Sequence, residues 1–109
     1  MASRRQTQVS DMYMQLAGSF FARESNGNSL ITVTRADVSP DLRNVKIYLS
    51  VLPASYDDQA LHFARRNRTE FREYIKANSR TQYLPNVDFE IDYGEKNRQL
   101  IDDLTKPTA

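Results

Sequence analysis

The segment VDFEIDYG, residues 87–94, constrains the fold more than any other stretch of the chain. Val87, Phe89 and Ile91 alternate with Asp88, Glu90 and Asp92. A strand here turns three apolar side chains to one face and three carboxylates to the other, which faces water. A sheet built on such a strand is apolar on one side only, and helices must cover that side. Residues 42–52, LRNVKIYLSVL, repeat the pattern: Val45, Ile47, Leu49 and Val51 alternate with Lys46, Tyr48 and Ser50 until Pro53 ends the run. Residues 30–38, LITVTRADV, are rich in β-branched residues and read as a third strand. Only Ser39-Pro40-Asp41 interrupts the chain before the next strand, so these two are expected to pair antiparallel.

The helices are read from a different period. Val9, Met12, Tyr13, Leu16 and Phe20 mark one apolar face over residues 4–23. Ser3 and Gln6 are spaced for a capping box. Gly18 interrupts this helix, where it is expected to cost about 1 kcal/mol relative to alanine and to permit close packing. The polar stretch SNGNS, residues 25–29, follows as a turn. Leu100, Ile101 and Leu104 give residues 95–104 helical spacing. The expected order is helix, strand, strand, helix, short helix, strand, helix, in one domain over 1–109 with residues 1–3 and 105–109 frayed.

Composition narrows the chemistry. With 109 residues the chain suits one modest core. Cysteine is absent, which excludes disulfides, thiolate metal sites and cysteine catalysis and fits a cytoplasmic setting. His62 is the single histidine, too few for a histidine-built zinc site or an evident triad, and is expected to be a boundary residue on its helix, between the buried and exposed sides. No apolar run approaches the length of a membrane span, and no secretory signal is expected at the N-terminus. Asp88, Glu90 and Asp92 could be imagined as a Mg²⁺ site, but alternate residues on an open strand face ordinarily just meet solvent.

Residues 57–78 break their own pattern. Asp57 and Asp58 suit a helix start, as caps and by charge. Ala60, Leu61, Ala64, Phe71, Tyr74 and Ile75 mark the apolar side, yet the turn between Ala64 and Phe71 offers Asn67 and Arg68 where an apolar residue belongs. Two accounts fit. Either the helix is continuous and the Arg68 stem snorkels outward, or two helices meet there and expose backbone N–H groups suited to phosphate.

Positive charge gathers at the same place. Residues 65–80 hold six basic side chains against two acidic ones, a local +4. Residues 86–109 hold three against six, a local −3, so the net charge of +1 conceals a dipolar molecule. Arg65, Thr69, Arg72 and Lys76 share one helical stripe, either a solvated face or a phosphate contact. Glu73 is placed to pair with Lys76. Arginine's planar fork suits phosphate oxygens and exposed bases.

The chain resembles the ribosome-binding factor A family of bacterial small-subunit assembly factors. VSPDLRNVKIYLSVL (38–52) is similar to the family's strand, Ser-x-Asp-Leu turn and alternating Lys-x-Tyr strand. LPNVDFEID (84–92) places Pro85, Val87, Phe89 and Asp92 in register with its Pro-x-Leu-x-Phe-x-x-Asp. Phe71-Arg72 resembles its apolar-Arg pair, and VSDMYMQL with FFARE its first helix. The resemblance implies an α+β, type II KH-like domain: a three-stranded sheet with helices on one face, and a helix–kink–helix in place of the KH Gly-x-x-Gly loop. The family's Ala-x-Gly kink motif falls here on Asn67-Arg68-Thr69, with neither the small residue nor the glycine.

By resemblance the function is a non-catalytic, RNA-binding assembly factor. It associates with small-subunit ribosomal RNA and the immature small subunit and assists late maturation, notably in the cold. It implies no cofactor, a cytoplasmic monomer, and assembly GTPases as further partners. The RNA-contacting residues are expected to be Arg65, Arg66, Asn67, Arg68, Thr69, Arg72, Lys76 and Arg80, with the acidic strand edge (Asp88, Glu90, Asp92) facing away from RNA or simply solvated. Arg4 and Arg5 are weaker candidates. The alternative is a protein-interaction module of the same fold, docking on a ribosomal protein or assembly GTPase.

Overall fold

A computed structural model describes residues 3–23, 29–80 and 84–94. Helix α1 spans Arg4–Arg23, strands β1 and β2 span Leu30–Val38 and Asn44–Leu52, helices α2 and α3 span Asp57–Arg66 and Arg68–Asn78, and strand β3 spans Asn86–Ile91. A single 3₁₀ turn, Ala54–Tyr56, leads into α2. The helix expected at 95–104, the turn at 25–28 and the frayed positions 1–2 and 105–109 lie outside the described residues.

The sheet order is β1-β2-β3, antiparallel between β1 and β2 and parallel between β2 and β3. The parallel pair is what a helical crossover allows. The alternation fixes which way the sheet faces: Val45, Ile47, Leu49, Val51, Val87, Phe89 and Ile91 are all buried. A bulge at Thr34 shifts the register between Val33 and Arg35. Its hydroxyl donates to Asp92 Oδ2 at 2.6 Å, tying the two edges of the sheet across the open face.

The β1–β2 connection shows why β2 begins at Asn44, not at residue 42. Leu42 has φ of 62°, left-handed backbone that an L-residue rarely adopts and that no strand contains. Ser39 and Asp41 hold it there. The Ser39 hydroxyl donates to Asp41, Asp41 Oδ1 accepts from Arg43 N–H at 3.1 Å, and Ser39 Oγ accepts from Asn44 N–H at 3.1 Å. The same two donors keep the Asp41 carboxyl below its ordinary pKa. Leu42 packs its side chain against the core.

The helices cover the apolar face. Tyr13, Ala17, Phe20 and Phe21 of α1 are buried, with Val9, Met12 and Leu16 packed at the margin. The helical spacing marks Tyr13 and Phe20 but not Ala17 and Phe21, which complete the buried stripe. The α1 capping box forms as its spacing requires: Gln6 N–H donates to Ser3 Oγ at 3.1 Å, and Ser3 N–H to Gln6 Oε1 at 3.0 Å. Helix α2 starts differently from expectation. Its N-cap is Tyr56, and Asp57 and Asp58 lie in the first turn, where their charge favours the helix dipole.

Gly18 does not serve close packing. It lies on the exposed side of α1, and a Cβ built there meets nothing within 4 Å. Gly18→Ala is therefore expected to stabilise the fold by about 0.5–1 kcal/mol. A urea titration followed by circular dichroism checks this; an unchanged or lowered midpoint contradicts it.

Candidate nucleic-acid interface

The break in the helical pattern is a break in the helix. Asn67 stands between α2 and α3 as the C-cap of one and the N-cap of the other, with φ −95° and ψ 14°. This is right-handed bridge backbone, not the left-handed region, so no glycine is required. Its side chain turns back onto α2: Asn67 Nδ2 donates to the Phe63 carbonyl at 2.8 Å, a second bond to an acceptor that also takes the Asn67 N–H at 3.1 Å. Asn67 carbonyl accepts from Phe71 N–H at 2.9 Å and starts α3. An asparagine thus makes the junction that the Ala-x-Gly sequence makes elsewhere in the resembled family. The chain uses the same bond at the end of α3, where Asn78 Nδ2 donates to Tyr74 carbonyl at 2.9 Å.

The kink sets three arginines along the outer edge of β3. Asn86 and Asp92 donate their N–H groups to the Arg43 carbonyl, just before β2, and to the Leu49 carbonyl within it, so the residues between at odd positions turn their peptide groups outward. Arg65 Nη2 donates to Phe89 carbonyl and Arg72 Nε to Pro85 carbonyl, both at 3.1 Å. Asp88 Oδ1 accepts from Phe89 N–H at 2.8 Å and from Arg68 Nη2 at 3.1 Å, and lies 3.4 Å from Arg65 Nε. Pro85 has no N–H to expose. At Pro85 and Phe89 the edge strand, which would otherwise offer free backbone groups, is covered by side chains. Because Arg65, Arg68 and Arg72 follow one flank of two successive helices, their partners run back along β3 from Phe89 to Pro85.

Each arginine keeps donors in reserve. A guanidinium has five N–H groups, and these arginines spend one or two on the strand; the Arg65 and Arg68 side chains remain 41% and 42% exposed. Arg68 Nε is buried without a partner. Arg65 and Arg66 close α2 at its negative end, where cations are favoured; Arg68 sits at the positive end of α3, where they are not. The Asp88 carboxylate offsets that.

Of the remaining predicted site residues, Arg66, Thr69, Lys76 and Arg80 are exposed, and Asn67 is half-buried in the junction. Glu73 and Lys76 do not pair: the ion pairs of the described residues are Arg35–Asp37, Lys46–Glu90, Arg65–Asp88 and Arg68–Asp88. The acidic strand is not simply solvated either. Asp88 holds two arginines, Asp92 accepts from Thr34, and Glu90 lies 3.2 Å from Lys46, holding that ammonium above its ordinary pKa by hydrogen bond and charge. On the same open face Arg35 lies 4.1 Å above the Tyr48 ring. His62 is exposed on α2. No helix of the described residues is long and apolar enough to cross a membrane.

Helix, antiparallel strand pair, kinked helix pair and a parallel third strand together define a type II KH-like domain, its helix junction and edge strand forming one arginine-lined flank. The chain belongs to the Ribosome-binding factor A family, whose sequence model matches residues 4–105. Ribosome-binding factor A of Pelagibacter ubique is 31% identical over 113 residues, covering 97% of this chain and 91% of that protein. The crystal structure of ribosome-binding factor A from Thermus thermophilus matches with a TM-score of 0.68 at 19% identity, over 79% of this chain and 94% of that one. A homology model of the Thermus thermophilus factor, fitted into a cryo-EM map of its complex with the 30S subunit, matches with a TM-score of 0.69 at 15% identity, over 85% and 97%.

Proposed function

We propose that this protein is a non-catalytic RNA-binding assembly factor that associates with the immature small ribosomal subunit and assists late maturation of its RNA. The observation that carries this reading is the flank built by α2, α3 and β3. Arg65, Arg68 and Arg72 are fixed against the strand by their own hydrogen bonds, and Arg66, Lys76 and Arg80, on and just after the same two helices, add exposed positive charge. Side chains already held in place lose less freedom when they meet a phosphate. The Thermus relative that shares this fold is placed on the 30S subunit, which supports the same partner here. Backbone and shape, rather than base sequence, are what such a flank reads.

Co-sedimentation with immature and mature small subunits tests the reading. Binding is expected to favour immature particles and to weaken by at least tenfold between about 50 and about 200 mM salt, because phosphate contacts release counterions. Salt-insensitive binding would point to a protein contact and overturn it.

A further inference from the structure

Asp88 holds together a site that would otherwise be more cationic. One oxygen, Oδ1, receives Arg68 Nη2 at 3.1 Å and Phe89 N–H at 2.8 Å and lies 3.4 Å from Arg65 Nε. Two guanidiniums and a backbone N–H converging on one anionic oxygen are the donors a phosphate oxygen would seek. The carboxylate is 46% exposed, so it stands where an incoming phosphate would arrive. Half-exposed ion pairs of this kind are weak, so a stronger anion can take the place of this one.

We propose that Asp88 is a specificity-determining gate, an internal stand-in for phosphate that occupies Arg65 and Arg68 in the free protein. This rests on the RNA-binding reading above. RNA that touches the flank through one phosphate at a time must compete with Asp88 for the two arginines. A ribosomal RNA surface that also engages Arg66, Lys76 and Arg80 is held by those cations and can leave Asp88 in place. Asp88 therefore handicaps a ligand held mainly at Arg65 and Arg68 more than a multi-point one, and that difference is the discrimination. Asp88 also caps the Phe89 N–H, but that task needs an acceptor and no charge, so the second arginine contact and the placement of both guanidiniums on the same oxygen are left unexplained by it.

Asp88→Asn separates the two roles. The amide oxygen can still accept from Phe89 N–H, and the negative charge is gone. Binding to single-stranded polyuridine is expected to tighten roughly threefold to tenfold at about 100 mM salt, with the plot of log affinity against log salt steeper by about 0.7, one further released counterion. Binding to immature subunits is expected to change less, so the ratio between the two ligands falls. In a double-mutant cycle, Arg68→Gln should weaken polyuridine binding more in the Asp88→Asn background than alone. A urea midpoint close to the parent's establishes that the variant is folded. Equal or weaker polyuridine binding, with the parent itself binding, overturns the gate and leaves the RNA reading standing. Absence of RNA binding by both proteins brings down the RNA reading and the gate with it.

Discussion

Phe71→Ala is expected to destabilise the domain by about 3–5 kcal/mol, the range for removing a buried aromatic ring. Phe71 is fully buried in the first turn of α3, and its ring centroid lies 5.3 Å from Phe20, 6.5 Å from Phe21 and 6.0 Å from Phe89. It is therefore the contact at which α1, α3 and β3 meet. Domains of this size carry about 5–15 kcal/mol in total, so the variant should melt on the order of 15 °C or more below the parent. Phe71→Leu, which keeps most of the volume, should lose much less. Thermal and urea denaturation followed by circular dichroism measure both. A loss below about 1 kcal/mol for the alanine variant would mean that α3 does not dock through this ring. The same substitution should loosen the arginine flank, because Phe71 anchors the turn that carries Arg68 and Arg72 against β3.

The sequence was legible where one local signal decided the outcome. Helix α1 runs over the residues its apolar spacing marks, and its Ser3–Gln6 box closes as the two side chains require. Strand β1 keeps its expected bounds because its β-branched run ends at a proline turn. The failure of the apolar pattern at Asn67 marked the position of the kink, but periodicity alone favours a continuous helix there, since it records only that an apolar residue is missing. The structure shows the break in the Asn67 backbone itself, at φ −95° and ψ 14°, with Asn67 Nδ2 bonded back to the Phe63 carbonyl, and no spacing rule announces either. Leu42 was misplaced for a similar reason: alternation counted it as strand, while the Ser39–Asp41 interlock held its φ positive.

Long-range pairing was less legible. Nothing local says that β3 lies parallel to β2 at the sheet edge, so the destination of Arg65, Arg68 and Arg72 was hidden. Read separately, the +4 helix segment and the acidic strand suggested opposite ends of a dipole. In the fold they are neighbours, and Asp88 neutralises part of the one with part of the other. The exposed remainder consists of Arg66, Lys76 and Arg80 together with the outward N–H groups of the tied arginines.

That division selects the variant with the largest expected effect on binding. Arg66→Glu combined with Lys76→Glu is expected to weaken association with immature small subunits by at least about 100-fold at about 100 mM salt. Each reversal removes one cation and adds one anion beside the phosphates, and the salt slope should flatten by about 1.4 to 1.8 for the two lost contacts. Both side chains are exposed and make no ion pair among the described residues, so stability should stay within about 0.5 kcal/mol of the parent. Arg72→Glu is a poorer choice, because it also puts a carboxylate against the Pro85 carbonyl that Arg72 Nε now holds. Lost binding there would mix a damaged sheet edge with a lost phosphate contact. For the Arg66 and Lys76 pair the two causes separate: a parent-like melt with lost particle binding and a flatter salt slope assigns the loss to charge. Unchanged particle binding in the folded double variant would remove these two cations from the interface and leave the strand-tied arginines, with Asp88 among them, as its centre.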